Sequence, residues 1–236
     1  MAIVSFDYGH LQSGQDTSAN GIVNEFTEIR KYAPVCVNEL MRQGHTLVNC
    51  TPPSIMTLQQ SLSYRVDKAN ASGSQLHICF HINAFNGQAH GSEIEVASDS
   101  GEKYGQSVLN EICKLGFTNR GIKRPNLYIT RNTNMPAILI EPFFCDNAED
   151  VRLYNPNSLG LAIAKGVINI IGGQVKPVIN IIKAVDGMNT LDLQRFLNRL
   201  GVTDYEGKAL IEDGYTGKRT DSAKAKAKAI LQNILG

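Results

Sequence analysis

Two imidazoles and two carboxylates, set in four separated segments, carry the main chemical signal of this 236-residue chain. His10 follows the apolar run AIVSF at 2–6, His81 follows LHICF at 76–80, and Glu141 closes AILIE at 137–141. Glu25 stands at the start of a stretch whose apolar residues recur at helical spacing. A catalytic zinc site commonly takes three ligands from histidine and carboxylate side chains and leaves one position for water. A further carboxylate outside the ligand set then takes the proton from that water. His10, Glu25, His81 and Glu141 are of the right types for those four roles. Their spacing alone does not select this chemistry, because they come from distant segments. Each also has a structural reading: His10 capping a turn, Glu25 meeting a helix dipole, His81 satisfied in a core, Glu141 paired at a strand end.

The elements that must position them alternate between short apolar runs and helical patterns. Strands are expected at 2–6, 45–50, 75–84, 92–98, 126–130 and 137–141. Helices are expected at 23–42, 57–71, 102–115 and 158–171, the first with a kink or break at Pro34, whose ring removes a backbone donor. This alternation predicts an α/β fold, a mostly parallel twisted sheet with helices on both faces. Ligands of such folds gather beyond the carboxyl ends of the strands, where His10, His81 and Glu141 would sit. The segment GGQVKP at 172–177 reads as a boundary, giving domains at 1–173 and 174–236. Helical runs at about 189–200 and 221–235 make the second a small helical bundle, with the KAKAKA stretch as a solvated face.

A formal net charge of +1 gives no bulk electrostatic ground for binding nucleic acid. No apolar run approaches the roughly 18 residues of a membrane span, so membrane insertion is not expected. Five cysteines without a CxxC pair exclude a tidy disulfide framework and a thiolate zinc knuckle; Cys79 and Cys145 read as inert core residues. MAIVSFDYGH has no basic segment of the signal-peptide kind, so synthesis in the cytoplasm without a signal peptide is expected.

DYGHLQSGQDTSANGIVNEF, FHINAF and MPAILIEPFFCDNAED together resemble the zinc-dependent N-acetylmuramoyl-L-alanine amidases. The resemblance covers roughly residues 2–171, with supporting matches in YRVDKAN (64–70), HGSEIE (90–95) and NRGIK (119–123). It implies one Zn2+ held by His10 of a D-x-G-H motif, Glu25 at the head of the first helix, and His81 of an H-x-N motif. It implies Glu141 as the general base, bacterial peptidoglycan as substrate, and cleavage between N-acetylmuramic acid and L-alanine. His45, His77 and His90 match no ligand position. The tail, LDLQRFLNRLG with DGYTGKRTDSAKAKAKAILQ, is similar to a three-helix peptidoglycan-binding module, with Asp213, Gly214, Gly217, Thr220 and Ala223 on its signature. There a tight turn is expected, with Thr220 or Asp221 capping the last helix. This combination resembles a phage endolysin, released to the host wall through holin-type membrane holes. A host autolysin or sporulation amidase and a non-catalytic wall-binding protein are the alternatives.

Overall fold

The computed structural model describes residues 1–173, 188–199 and 202–233. The chain divides into two compact units, Met1–Gln174 and Val175–Gly236. Of the expected boundary segment, residues 174–177 lie outside the described residues, as do 200 and 234–235 of the two helical runs in the tail.

The first unit is organised by six strands: β1 (Ile3–Tyr8), β2 (Thr46–Asn49), β3 (Leu76–Phe80), β4 (Ser92–Val96), β5 (Asn119–Lys123) and β6 (Ala137–Glu141). They pair in the order β2-β1-β3-β6-β4-β5. The first four in that order run parallel; β4 pairs antiparallel with β6, and β5 runs parallel to β4. The carboxyl ends of β1, β3 and β6 therefore open at one edge, side by side.

Helices cover both faces. On one, α1 (Glu25–Arg42) and α3 (Asp99–Cys113) both pack against α6 (Pro156–Ile171). On the other, α2 (Leu58–Ala71) packs against the short α4 (Tyr128–Asn132); α5 (Ala148–Leu153) follows β6. All five residues of β3 are buried, as a strand covered on both faces requires. Leu76, Ile78 and Phe80 enter the large core, while Cys79 joins Val66, Ile129 and Leu139 in a smaller one. At about 25 cal/mol per Å² of apolar surface, such layers supply most of the stabilisation of the sheet.

Two expectations are corrected. The run at 126–130 is not a strand: α4 begins at Tyr128, and Ile129 packs into the smaller core. Short apolar runs look alike as strand or buried helix, and here both sides of β6 are already taken by β3 and β4. The sixth strand is instead the polar NRGIK of β5, an edge strand exposed at both ends. Pro34 does not break α1, which continues to Arg42 because Ile29, Tyr32, Ala33, Cys36, Val37 and Leu40 are buried along it. The loss of one backbone bond is outweighed by that packing.

In the second unit, α7 (Thr190–Arg199) and α8 (Lys218–Asn233) share a core of Leu193, Leu197, Val202, Leu210, Ala223 and Ala227. Gln194, 2% exposed, organises the turn between them. Its Nε2 donates to Asp213 Oδ1, Tyr215 O and Thr220 Oγ1, and its Oε1 accepts from Gly214 N at 2.9 Å. Gly214 sits at φ 76°, a conformation that favours glycine. Thr220 and Asp221 do not cap α8, because the helix already begins at Lys218. The Thr220 hydroxyl is spent on Gln194 instead.

Candidate metal centre

His10 lies two residues beyond β1, past Gly9, and has φ 61°, the single non-glycine residue in the left-handed region among those described. Two contacts hold that backbone. Arg30 of α1 donates from Nη1 to Gly9 O at 3.2 Å and from Nη2 to His10 O at 3.0 Å. Gly9 leaves no room for a side chain: a Cβ there would meet His81 Cε1 at 2.6 Å and Phe80 O at 2.7 Å. Glu25 opens α1 behind its cap Asn24, whose side chain accepts from Thr27 N. His81 directly follows β3, its amide donating to Ile140 O at 3.1 Å and its carbonyl accepting from Tyr32 OH at 2.8 Å.

These three side chains converge. Glu25 Oε1 accepts from His10 Nε2 at 3.1 Å and from His81 Nδ1 at 3.2 Å, and the two rings meet edge to face with centroids 4.8 Å apart. One donor atom from each of His10, Glu25 and His81 lies within 4.8 Å of the others. Glu25 is 3% exposed, and its oxygens also accept from Ala19 N at 2.8 Å and Ile82 N at 3.0 Å. Burial would raise its pKa, but the two imidazoles hold it well below the usual carboxylate range. Burial likewise pushes His10 down, and the hydrogen bonds to Asp16 and Glu25 overcome it, lifting its pKa to about 9.

Glu141 ends β6 one position beyond the Phe80–Ile140 pair, and so stands at the register position of His81. On its other side it pairs with Glu93 of β4. Burial, with Glu25, Glu95 and Glu93 nearby, pushes its pKa well above the ordinary carboxylate value. Its Oε2 is buried and has no hydrogen-bond partner among the described residues. Asn83 shapes the loop after His81, donating from Nδ2 to Glu93 Oε1 at 2.7 Å while its backbone bonds Phe143.

Several site neighbours were not legible as such in the sequence. Asp16 Oδ1 accepts from His10 Nδ1 at 3.1 Å. Arg65 of α2, 1% exposed, pairs with both Asp16 and Asp7. Asp7 and Arg65 lay inside the quoted DYGH and YRVDKAN motifs, so the signal was present without a role attached. His77 Nε2 donates to Asp7 Oδ2 at 3.0 Å, which is where that unmatched histidine is used. His45 is also structural, its Nδ1 accepting from Ala2 N and its Nε2 donating to Gly172 O at 2.9 Å.

Asp7, His77 and Cys79 form a second group of close donor atoms. All three are fully buried, and burial pushes the Cys79 thiol far up, away from the thiolate a metal needs. Burial opposes ionisation of Asp7, yet Arg65 and His77 hold it well below its ordinary value, so this group is a closed ion-pair network. His10, Glu25 and His81 fit a metal better. They offer two nitrogens and one oxygen at an open strand edge, beside an unpartnered buried carboxyl oxygen.

Sheet and site together define an α/β amidase fold. The chain belongs to the N-acetylmuramoyl-L-alanine amidase family, whose model matches residues 4–172. It is similar to the endolysin of Bacillus phage SPP1, at 31% identity over 173 residues, covering 70% of this chain and 62% of that protein. It resembles the catalytic domain of the CD27L endolysin targeting Clostridia difficile, at 34% identity and TM-score 0.66, over 72% of this chain and 98% of that domain. The catalytic domain of CwlV from Paenibacillus polymyxa, at 24% identity and TM-score 0.65 over 74% of this chain and 100% of that one, shares the fold. The chain spans about half the length of curated relatives it matches from Clostridium perfringens, 47% of one and 54% of another.

Proposed function

We propose that this protein hydrolyses the amide between N-acetylmuramic acid and L-alanine in bacterial peptidoglycan. The observation that carries the reading is the convergence of His10, Glu25 and His81 within 4.8 Å, beside the unpartnered carboxyl of Glu141. These three residues would hold one Zn2+, which supplies Lewis-acid activation of water and of the amide carbonyl when bound. Glu141 takes the proton of the attacking water and returns it to the leaving amine, the new amino terminus of the peptide that begins with L-alanine. Burial and the neighbouring carboxylates raise its affinity for a proton, the property a carboxylate needs to take one from water. Glu25 is suited to the opposite role, kept ionised by the imidazoles on either side. A cavity of about 210 Å³ is lined by Leu11, the residue after His10, together with Gln12, Phe26, Arg30, Pro52 and Ile55.

The cellular role is that of an endolysin acting at the host wall after holin-type release. Two relatives named endolysins match at 31% and 34% identity, above the 24% of the sporulation-specific amidase of Bacillus subtilis. No helix among the described residues is long and apolar enough to cross a membrane. Residues 174–236 serve as the wall-binding domain, with the groove of about 290 Å³ around Asp213, Tyr215 and Thr216 as its candidate contact surface.

Purified Bacillus walls incubated with the protein test the reaction. The expected products are new amino termini on L-alanine without new reducing sugars, with loss of product after chelation and recovery with zinc. Reducing sugars in place of alanine amino termini would refute it.

A further inference from the structure

We infer that Asp16 is a positioning residue for the metal centre, fixing the His10 ring so that Nε2 presents its lone pair to the ion. The inference rests on the reading of His10, Glu25 and His81 as metal ligands. His10 is approached on both ring nitrogens: Nε2 faces Glu25 at 3.1 Å, and Nδ1 faces Asp16 at 3.1 Å. A neutral imidazole has one N–H and one lone pair, and a carboxylate at Nδ1 keeps the proton there.

Asp16 can do this because it is itself held. It is 6% exposed, and its Oδ2 accepts from Ser61 Oγ at 2.6 Å and from Arg65 Nη2 at 3.3 Å. Its carbonyl accepts from Leu11 N at 2.8 Å, closing the turn directly after His10. Arg65 also bonds Tyr8 O at 2.8 Å and pairs with Asp7, so α2 is tied to the end of β1 by the same side chain. The His10 backbone is fixed separately, by Arg30. Backbone and ring thus have different anchors, and it is the Asp16 side chain that meets the ring. Outer partners of this kind are worth about 10- to 100-fold in metal affinity.

The test is zinc titration of the full chain against a competing chelator, with the visible spectrum of the Co2+-loaded protein as a second readout. Asp16→Ala is expected to weaken zinc about 10- to 100-fold and to alter the cobalt bands. Asp16→Asn should recover part of that loss, since its amide oxygen still accepts from Nδ1–H while its Nδ2 cannot accept from Ser61 and Arg65. Ser61→Ala, which removes one hold on Oδ2, should give a smaller loss. A folded Asp16→Ala protein with wild-type zinc affinity and an unchanged cobalt spectrum overturns the inference. If Asp16→Ala does not fold, wild-type affinity in Ser61→Ala overturns it in the same way. A wild-type protein that takes up no zinc overturns both the inference and the site reading; normal wild-type uptake beside an unaffected variant overturns the inference alone.

Discussion

Replacing Gly9 by alanine tests how tightly the site is packed. The new Cβ would stand 2.6 Å from His81 Cε1 and 2.7 Å from Phe80 O, against an ordinary contact distance of at least 3.4 Å. The shortfall of about 0.8 Å falls on a strand carbonyl and on a proposed ligand ring, neither of them a flexible side-chain end. Overpacking of this kind costs about 1–3 kcal/mol. Gly9 is not in the left-handed region, so alanine also gains about 0.4–1 kcal/mol by restricting the unfolded chain. The expected net loss is about 0–2.6 kcal/mol, read from the urea midpoint of the metal-free protein. The effect on metal is larger, because ligand distances hold to within about 0.2 Å and the ring must move several times that. Zinc affinity should fall at least about tenfold. Gly73→Ala is the control: at φ 68° with nothing within 4 Å, it strains the backbone and leaves the site untouched. Gly9→Ala with unchanged stability and unchanged zinc affinity would refute the packing argument.

Other predictions address the chemistry and the frame. Glu141→Ala should cut turnover of purified walls about 10²- to 10⁴-fold with zinc still bound at one equivalent; retained turnover removes Glu141 from the mechanism. Arg65→Met leaves Asp7 and Asp16 as buried carboxylates without their cation, an expected cost of about 3–5 kcal/mol in chemical denaturation; a loss under about 1 kcal/mol would count against it. In the metal-free protein His10 titrates at about 9, raised from 6.5, so zinc must displace a proton. Conditional zinc affinity should therefore climb with pH between 6 and 8, by up to about tenfold per unit, with proton release measurable in weak buffer. The same shift makes a contribution to metal-free stability that is full below about 6.5 and lost as pH rises through 9. Asp16, lowered to about 2 by His10, Ser61 and Arg65 against the effect of burial, contributes in the opposite sense, its share disappearing as pH falls from about 4 through 2. Flat zinc affinity from pH 6 to 8 would exclude the protonated His10.

The sequence by itself determined the material of the site. Alternating apolar runs and helical patterns specify an α/β layer, and the polar residue closing a buried strand in each of LHICFH and AILIE marks its carboxyl edge. Reading His10, Glu25, His81 and Glu141 together needed only their types and motif context. The direction of β4 and β5 was not legible, because strand polarity is set by how connections cross the sheet and no local pattern encodes it. NLYIT became a helix for a related reason: neighbours of β6 were already in place, and burial beneath α2 satisfied its apolar side chains equally well. The tertiary structure alone decided the electrostatics. Asp16, Ser61 and Arg65 are charged or polar residues that a linear reading assigns to surface loops and helix faces. Folding places them within hydrogen-bond reach of one another and Asp16 within reach of His10, and only that proximity turns ordinary side chains into the frame of a site.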